Sequence, residues 1–226
     1  MCFDVFLFLW YNNIAGGDFV DKRSLKKCVM SVVLLLIIQA VLYFVSKLFQ
    51  GPPHLIGNDF DAWFPFVKEF IYVYDSWYPF LVFVWILFFF SDREKYKDFF
   101  VTSVLTMIVA NVIFLVYPTT ITRASFEVSG VTSWLLNLTY MLDTPLNCMP
   151  SMHCMFCFTT IFGLMFSKVK LKYKIPICGY LVLIILSTMF VKQHVIADVV
   201  SAFIIASCCY FISKLHVFDK FKRYFD

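Results

Sequence analysis

The stretch Lys22–Leu48, KRSLKKCVMSVVLLLIIQAVLYFVSKL, decides the fold class. From Val29 to Leu48 it is an almost unbroken apolar run. Its length is what a helix rising 1.5 Å per residue needs to cross a hydrocarbon layer about 30 Å thick. A basic segment, Lys22 to Lys27, precedes it, as expected of a span that starts on the cytoplasmic side. The rest of the chain has the same character. Of its 226 residues 61% are hydrophobic, 20% aromatic and only 15% charged. A soluble domain of this length could not bury so much apolar surface, so the bilayer must serve as solvent for much of it.

Five further apolar segments follow, at about Trp77 to Phe90, Phe99 to Tyr117, His153 to Phe166, Ile175 to Val191 and Ile196 to Phe211. Placing the N-terminus inside sorts the nineteen basic residues. Four clusters fall on the cytoplasmic side: Lys22, Arg23, Lys26 and Lys27; Arg93, Lys95 and Lys97; Lys168, Lys170, Lys172 and Lys174; and Lys214, Lys220, Lys222 and Arg223. Only Lys47, Lys68, Arg123 and Lys192 are left outside, an asymmetry that a wrong span count would have blurred. The expectation is an all-α, polytopic membrane helix bundle of six transmembrane helices with both termini cytoplasmic, in the plasma membrane. It divides into a cytoplasmic N-terminal segment (1–28), a membrane domain (29–212) and a basic cytoplasmic tail (213–226).

The net charge of +4 does not point to nucleic acid, because the basic residues lie between apolar runs and not in one patch with exposed aromatics. Met1 to Trp10 is apolar but short, carries Asp4 and lacks a basic start, so it reads as an interfacial segment rather than a signal peptide. The eight cysteines sit mostly in or beside apolar runs; Cys154 and Cys157 have CxxC spacing but read as small buried residues, not as a redox or zinc pair. The outer loop Phe49 to Ser76 mixes Gly51, Pro52, Pro53 and Pro65 with aromatics and two aspartates, and is expected to lie on the membrane surface.

Chemistry-bearing residues gather on the side that is poor in positive charge. His194 and Asp198 are four apart, so on a helix the carboxylate can accept a hydrogen bond from one imidazole nitrogen and leave the other free to attack. In CMPSMH, Cys148 to His153, Pro150 and Ser151 suit a helix start. Ser151 can cap that helix while its free N–H groups face an anion, and His153 then sits in the first turn, placed to protonate a leaving alkoxide. Arg123 and Lys192 supply a planar guanidinium and a point charge for phosphate oxygens. Taken singly, each has a plainer reading, as an interfacial polar residue, a helix cap or a snorkelling cation. Their convergence on one face favours a phosphoryl-transfer site. His54 and His216 match no such pattern and read as ordinary surface histidines.

In order and placement, YPTTITR (Tyr117 to Arg123), CMPSMH (Cys148 to His153) and KQHVIAD (Lys192 to Asp198) resemble the three signature motifs of the type 2 phosphatidic-acid phosphatase superfamily. The resemblance covers roughly Asp61 to Phe211. It includes DAWFPFVKEFIYVYDSWYP, which is similar to a segment of the inositol phosphorylceramide synthase-like branch. It implies His194 as the phosphorylated nucleophile, Asp198 as its orienting carboxylate, His153 as general acid, and Arg123, Ser151 and Lys192 as phosphate-binding groups. The departures fall in the phosphate-binding positions. Val116 and Ala124 stand where the family usually has lysine and proline, Met152 where glycine is frequent, and Thr188 where an arginine is usual, with Lys192 supplying part of the missing charge.

The leading expectation is therefore an integral-membrane lipid phosphatase that acts on a lipid phosphate or diphosphate at the extracytoplasmic face. It would need no cofactor and no metal, since arginine and lysine can stabilise the charge. A phosphotransferase that passes the phosphoryl group to an alcohol such as inositol shares the same first half-reaction. A transporter or lipid-binding protein is the non-enzymatic alternative; against it, the charged residues cluster at one surface and mark no midplane path. Membrane lipids are the expected surroundings and no nucleic acid is expected as a partner.

Overall fold

The computed structural model describes residues 22–225. The expectations for Met1 to Trp10, and for most of the 1–28 segment, lie outside the described residues. All six apolar segments fold as helices. The first is α1 (Lys22–Phe49), and a short α2 (Ile71–Asp75) leads into α3 (Trp77–Ser91), which is followed by α4 (Arg93–Val116). Then come α5 (Gly130–Leu142), α6 (Met152–Met165), α7 (Leu171–Phe190), α8 (Ile196–Ile212) and, in the tail, α9 (Asp219–Lys222). Among the described residues the only sheet is a parallel pair of two-residue strands, β1 (His54–Leu55) and β2 (Thr119–Thr120).

The all-α class is as expected, but helix length does not by itself give six spans. Four helical stretches, Lys22–Phe49, Lys68–Ser91, Arg93–Val116 and Leu171–Phe190, are long and apolar enough to cross a membrane. A fifth is reached only by joining Ile196–Ile212 to His216–Lys222 across a 76° bend. The helix α6 is apolar but has only 14 residues, a rise of roughly 21 Å where about 30 Å is needed. It is the central helix, packed against α4, α7 and α8, with most of its side chains buried. A helix mostly covered by protein is less bound by the length requirement that lipid imposes on its neighbours. By contrast α1 turns Ile37, Val41, Phe44 and Leu48 outward, which makes sense only against lipid. The chain is an integral membrane protein.

Polar contacts draw the basic clusters to one end of the bundle. Arg93 donates to Ser24 Oγ (2.6 Å), and Asp92 accepts from Lys95 N (3.1 Å) and Lys168 N (2.8 Å). Asp98 pairs with Lys214 (2.9 Å) and Lys222 (2.7 Å). At the opposite end the β1–β2 pair joins the chain after α1 to the chain after α4, and His54 stacks on Tyr117 with ring centroids 4.4 Å apart. The helix α5, absent from the sequence reading, also lies at this end. Thr132 meets Tyr72 OH (2.8 Å) and Thr139 donates to Asp75, while Val131, Trp134, Met141 and Leu142 face outward. Apolar residues on one side and tertiary hydrogen bonds on the other make α5 an amphipathic helix packed on this end of the bundle.

The bundle closes tightly at Gly163 of α6. A Cβ built there would lie 2.6 Å from the Phe88 ring and 3.3 Å from Phe99 Cβ, and both phenylalanines are fully buried. Gly163→Leu is expected to overpack this crossing at a cost of about 1–3 kcal/mol or more. The check is the melting temperature of the detergent-solubilised protein; an unchanged value would show that α3 and α4 move aside freely.

Candidate active site

The site lies at the end of the bundle away from the basic clusters, on the turn between α7 and α8. Beyond Phe190 the chain enters the left-handed region at Lys192 (φ 53°), and the N–H groups of Gln193 and His194 both donate to Thr188 O, at 3.0 and 3.1 Å. This closes the C-terminus of α7 in the manner of a left-handed cap and presents Lys192, Gln193 and His194 in succession. Thr188 itself is fully buried, with its hydroxyl 3.8 Å from Cys154 Sγ.

His194 Nδ1 lies 2.9 Å from Asp198 Oδ2. The expectation that the two share a helix face needs correction, because α8 begins only at Ile196. The contact arises instead because Asp198, in the first turn of α8, reaches back: the same Oδ2 accepts Val195 N at 3.1 Å, as an acidic residue in a capping box does. The carboxylate is fully buried and its Oδ1 has no partner. A carboxylate here favours the tautomer with the proton on Nδ1, so Nε2 keeps its lone pair.

Ser151 begins α6, accepting Cys154 N at 3.3 Å, and its own N–H donates to Asp198 O at 3.3 Å. That bond joins the first turns of α6 and α8. It places the His153 ring 5.7 Å from the His194 ring. His153 is held on its other side by Tyr74 and Trp77, with ring centroids at 4.8 and 4.4 Å, and its carbonyl accepts Trp77 Nε1 (3.2 Å).

Arg123 donates to the carbonyls of Tyr140 (2.8 Å) and Asp143 and to Gln193 Oε1, and lies over the Tyr140 ring at 4.4 Å; its Nε is buried without a partner. Burial lowers the guanidinium's pKa from its ordinary value while Asp143 and Tyr140 pull it back up, and an arginine so placed stays charged. Lys192 donates to the carbonyls of Asp61 (3.1 Å) and Phe64.

Two cavities meet at these residues. One of about 280 Å³ is lined by Arg123, Lys192, His194, Asp61 and Thr122. The other, about 690 Å³, is lined by Arg123, His153, His194 and Gln193 and runs on between α1 and α3. His194 and Arg123 line both, Asp198 lies behind His194, and Ser151 lines neither. Among the described residues no three His, Cys, Asp or Glu side chains are grouped to hold a metal ion.

Three further residues shape the site and were given no role by sequence reasoning: Gln193, Asp143 and Asp61. Gln193 stood inside the KQHVIAD motif, and its side chain orients Arg123. Asp143 looked like one more loop carboxylate, yet it lines the larger cavity and accepts the Tyr74 hydroxyl at 3.2 Å. Asp61 accepts Ile196 N (2.8 Å) with one oxygen and Asn58 N (2.7 Å) with the other, while its carbonyl takes Lys192 Nζ. It thereby clasps the His194 turn from both sides. Asp61→Ala removes the cap from α8, a loss of about 1 kcal/mol, and frees the turn. Catalytic turnover is expected to fall about tenfold or more, since small displacements of a reacting group are costly. The kinetics of Asp61→Asn, which keeps one acceptor oxygen, should be intermediate; equal and small losses in both would make the clasp irrelevant.

A membrane-embedded bundle that holds two imidazoles, an orienting carboxylate and an arginine at one end defines a class of membrane enzyme built for phosphate chemistry. A family model described as the PAP2 superfamily matches residues 59–212, and the chain belongs to that superfamily, whose membership points to a phosphatase-type function. Comparison with curated proteins and with solved structures returns no match.

Proposed function

We propose that the chain is an integral-membrane lipid phosphatase that works through a phosphohistidine at the extracytoplasmic face. His194 Nε2 attacks phosphorus, Asp198 steadies the imidazolium that results, and His153 protonates the leaving alcohol. Arg123 and the first turn of α6, whose Met152 and His153 line the larger cavity while Ser151 caps the helix behind them, neutralise the phosphate, with Lys192 adding charge from the smaller cavity. Arginine and lysine carry the charge stabilisation, so no metal is needed. In this reading the chain crosses the membrane six times, α6 and α8 being the short inner passes, with both termini cytoplasmic in the plasma membrane.

One observation carries the proposal: both histidines line a cavity that continues into the bilayer-facing part of the bundle. Leu36, Tyr78 and Leu142 line the 690 Å³ cavity and are themselves exposed, so its rim opens on the apolar outer surface of the bundle. A phosphorylated lipid can rest its apolar part against that rim while its headgroup reaches His194; a soluble phosphate ester would gain nothing from it. The test is phosphate release from lipid phosphates by purified protein in EDTA, with acid-labile labelled phosphate trapped on the chain. Release that stops in EDTA, or label held on an acid-stable residue, would contradict the mechanism.

A second reading, transfer to an alcohol such as inositol, is favoured by the same cavity's size. Its 690 Å³ is far beyond the roughly 30 Å³ of liquid volume that one water occupies. Offering candidate acceptors and following labelled phosphate separates the two: label in the acceptor marks a transferase, label in inorganic phosphate a hydrolase.

A further inference from the structure

We propose that Gln193 is a catalytic residue whose side-chain amide donates a hydrogen bond to an oxygen of the phosphoryl group under attack by His194. The proposal deepens the phosphatase reading above and rests on it. Three observations carry it: the orientation of the amide, an open donor on each of two neighbouring buried side chains, and the scarcity of cations around the larger cavity.

The orientation follows from the partner. Arginine has donors and no acceptor, so the Gln193 atom that meets the guanidinium must be the amide oxygen, and Oε1 accepts from Arg123 Nη2. Because Nε2 is bonded to the same carbon, it lies beside the guanidinium with both of its hydrogens still to give. There is little room to turn the group elsewhere: Gln193 is 3% exposed and its backbone N–H is fixed on Thr188 O at 3.0 Å.

The Nε2 atom is buried without a hydrogen-bond partner, and so is Arg123 Nε. The other guanidinium nitrogens are engaged, Nη1 with Tyr140 O (2.8 Å) and Nη2 with Asp143 O and Gln193. A buried N–H without an acceptor is costly. Two of them on hydrogen-bonded neighbours fit a ligand that only accepts. Arg123, His153, Gln193 and His194 all line the larger cavity. An ionised phosphoryl group next to His194 is such a ligand, since its non-bridging oxygens carry lone pairs and no hydrogen.

Among the described residues that line the larger cavity, Arg123 is the only arginine or lysine, and Asp143 attracts its charge. Lys192 is held on the carbonyls of Asp61 and Phe64. A neutral donor therefore has work to do. As His194 Nε2 forms the N–P bond, the P–O ester bond breaks and the departing alcohol oxygen takes the proton of His153. Negative charge is then spread over the phosphoryl oxygens. Gln193 Nε2 donates to one and Arg123 Nε to another, and neither gives up its proton. Water afterwards displaces His194 from phosphorus, with the same donors in place. Donors fixed in advance around developing charge lower the barrier.

Two variants separate donation from the orienting of Arg123. Gln193→Glu keeps an oxygen for the guanidinium and loses the donor; Gln193→Met is neutral and loses both. In detergent micelles with a long-chain alkyl phosphate, kcat is expected to fall about 10²-fold or more in Gln193→Glu and about tenfold in Gln193→Met. Inorganic phosphate, as a competitive inhibitor, should bind about tenfold more weakly to both. A side chain that only orients Arg123 gives the opposite order, with Gln193→Glu near wild type and Gln193→Met the slower, and that order overturns the proposal. Equal inhibition of wild type and Gln193→Met by inorganic phosphate overturns it as well, a result that does not depend on the glutamate variant folding. Phosphate release retained in His194→Ala would overturn the phosphatase reading instead, and this proposal with it.

Discussion

Phosphate release from a lipid phosphate is expected to fall at least about 10³-fold in His194→Ala, because without the imidazole no phosphoryl–enzyme can form and only binding and charge stabilisation remain. The size of the loss follows from how the ring is held. Asp198 fixes the tautomer through a 2.9 Å contact to Nδ1, and the ring stands between two cavities that both reach Arg123. Alanine also strips a partner from a buried carboxylate whose other oxygen is already unpaired, so some stability should be lost with it. His194→Gln separates the two effects, since its amide can still donate to Asp198 but cannot carry phosphate. Both variants should be inactive, and the glutamine variant should melt closer to wild type. Undiminished release by a folded His194→Gln protein would remove His194 from the mechanism.

The bundle was legible in the sequence because the bilayer imposes a one-dimensional rule. A helix facing lipid must be apolar along its whole length, so Val29 to Leu48 and Phe99 to Tyr117 announced themselves, and both proved to be helices. The rule weakens where protein replaces lipid. The helix α6, 14 residues long, is mostly covered by its neighbours and carries Thr159 and Thr160 fully buried in its middle, so its composition reads as a partial span. It fails altogether for α5, which packs on the end of the bundle. Its 13 residues are too few to cross, and Asn137 and Thr139 break up its apolar character.

The site was legible for a different reason: unusual residue types stood together on one side of the charge pattern. Histidine, aspartate and arginine are conspicuous between apolar runs, and the structure gathers His153, His194, Asp198 and Arg123 around one cavity end. What the sequence could not carry was the backbone. Lys192 looked like a free phosphate ligand, but its left-handed conformation turns the ammonium onto the carbonyls of Asp61 and Phe64. Asp61 gained its role only through contacts across more than a hundred residues of chain, which no local spacing encodes.

His153→Ala is expected to slow release from an alkyl phosphate about 10²- to 10⁴-fold, the usual worth of a positioned general acid. The loss should depend on the leaving group. An alkoxide is a poor leaving group that needs its proton as the P–O bond breaks, whereas p-nitrophenolate leaves without one. With p-nitrophenyl phosphate the same variant should lose no more than about tenfold. His194→Ala, by contrast, should lose activity on both substrates, because the nucleophile is needed whatever departs. The geometry distinguishes the two imidazoles in the same way. His194 faces both cavities, with its Nδ1 tied to a carboxylate, while His153 lies only on the larger cavity, with Tyr74 and Trp77 against its ring. Its place on the larger cavity alone suits His153 to give a proton to the departing alcohol, while His194, tied to Asp198, is the ring whose phosphoryl adduct has a carboxylate to steady it. Equal losses by His153→Ala on alkyl and aryl substrates would contradict the acid role and leave His153 as a wall of the cavity.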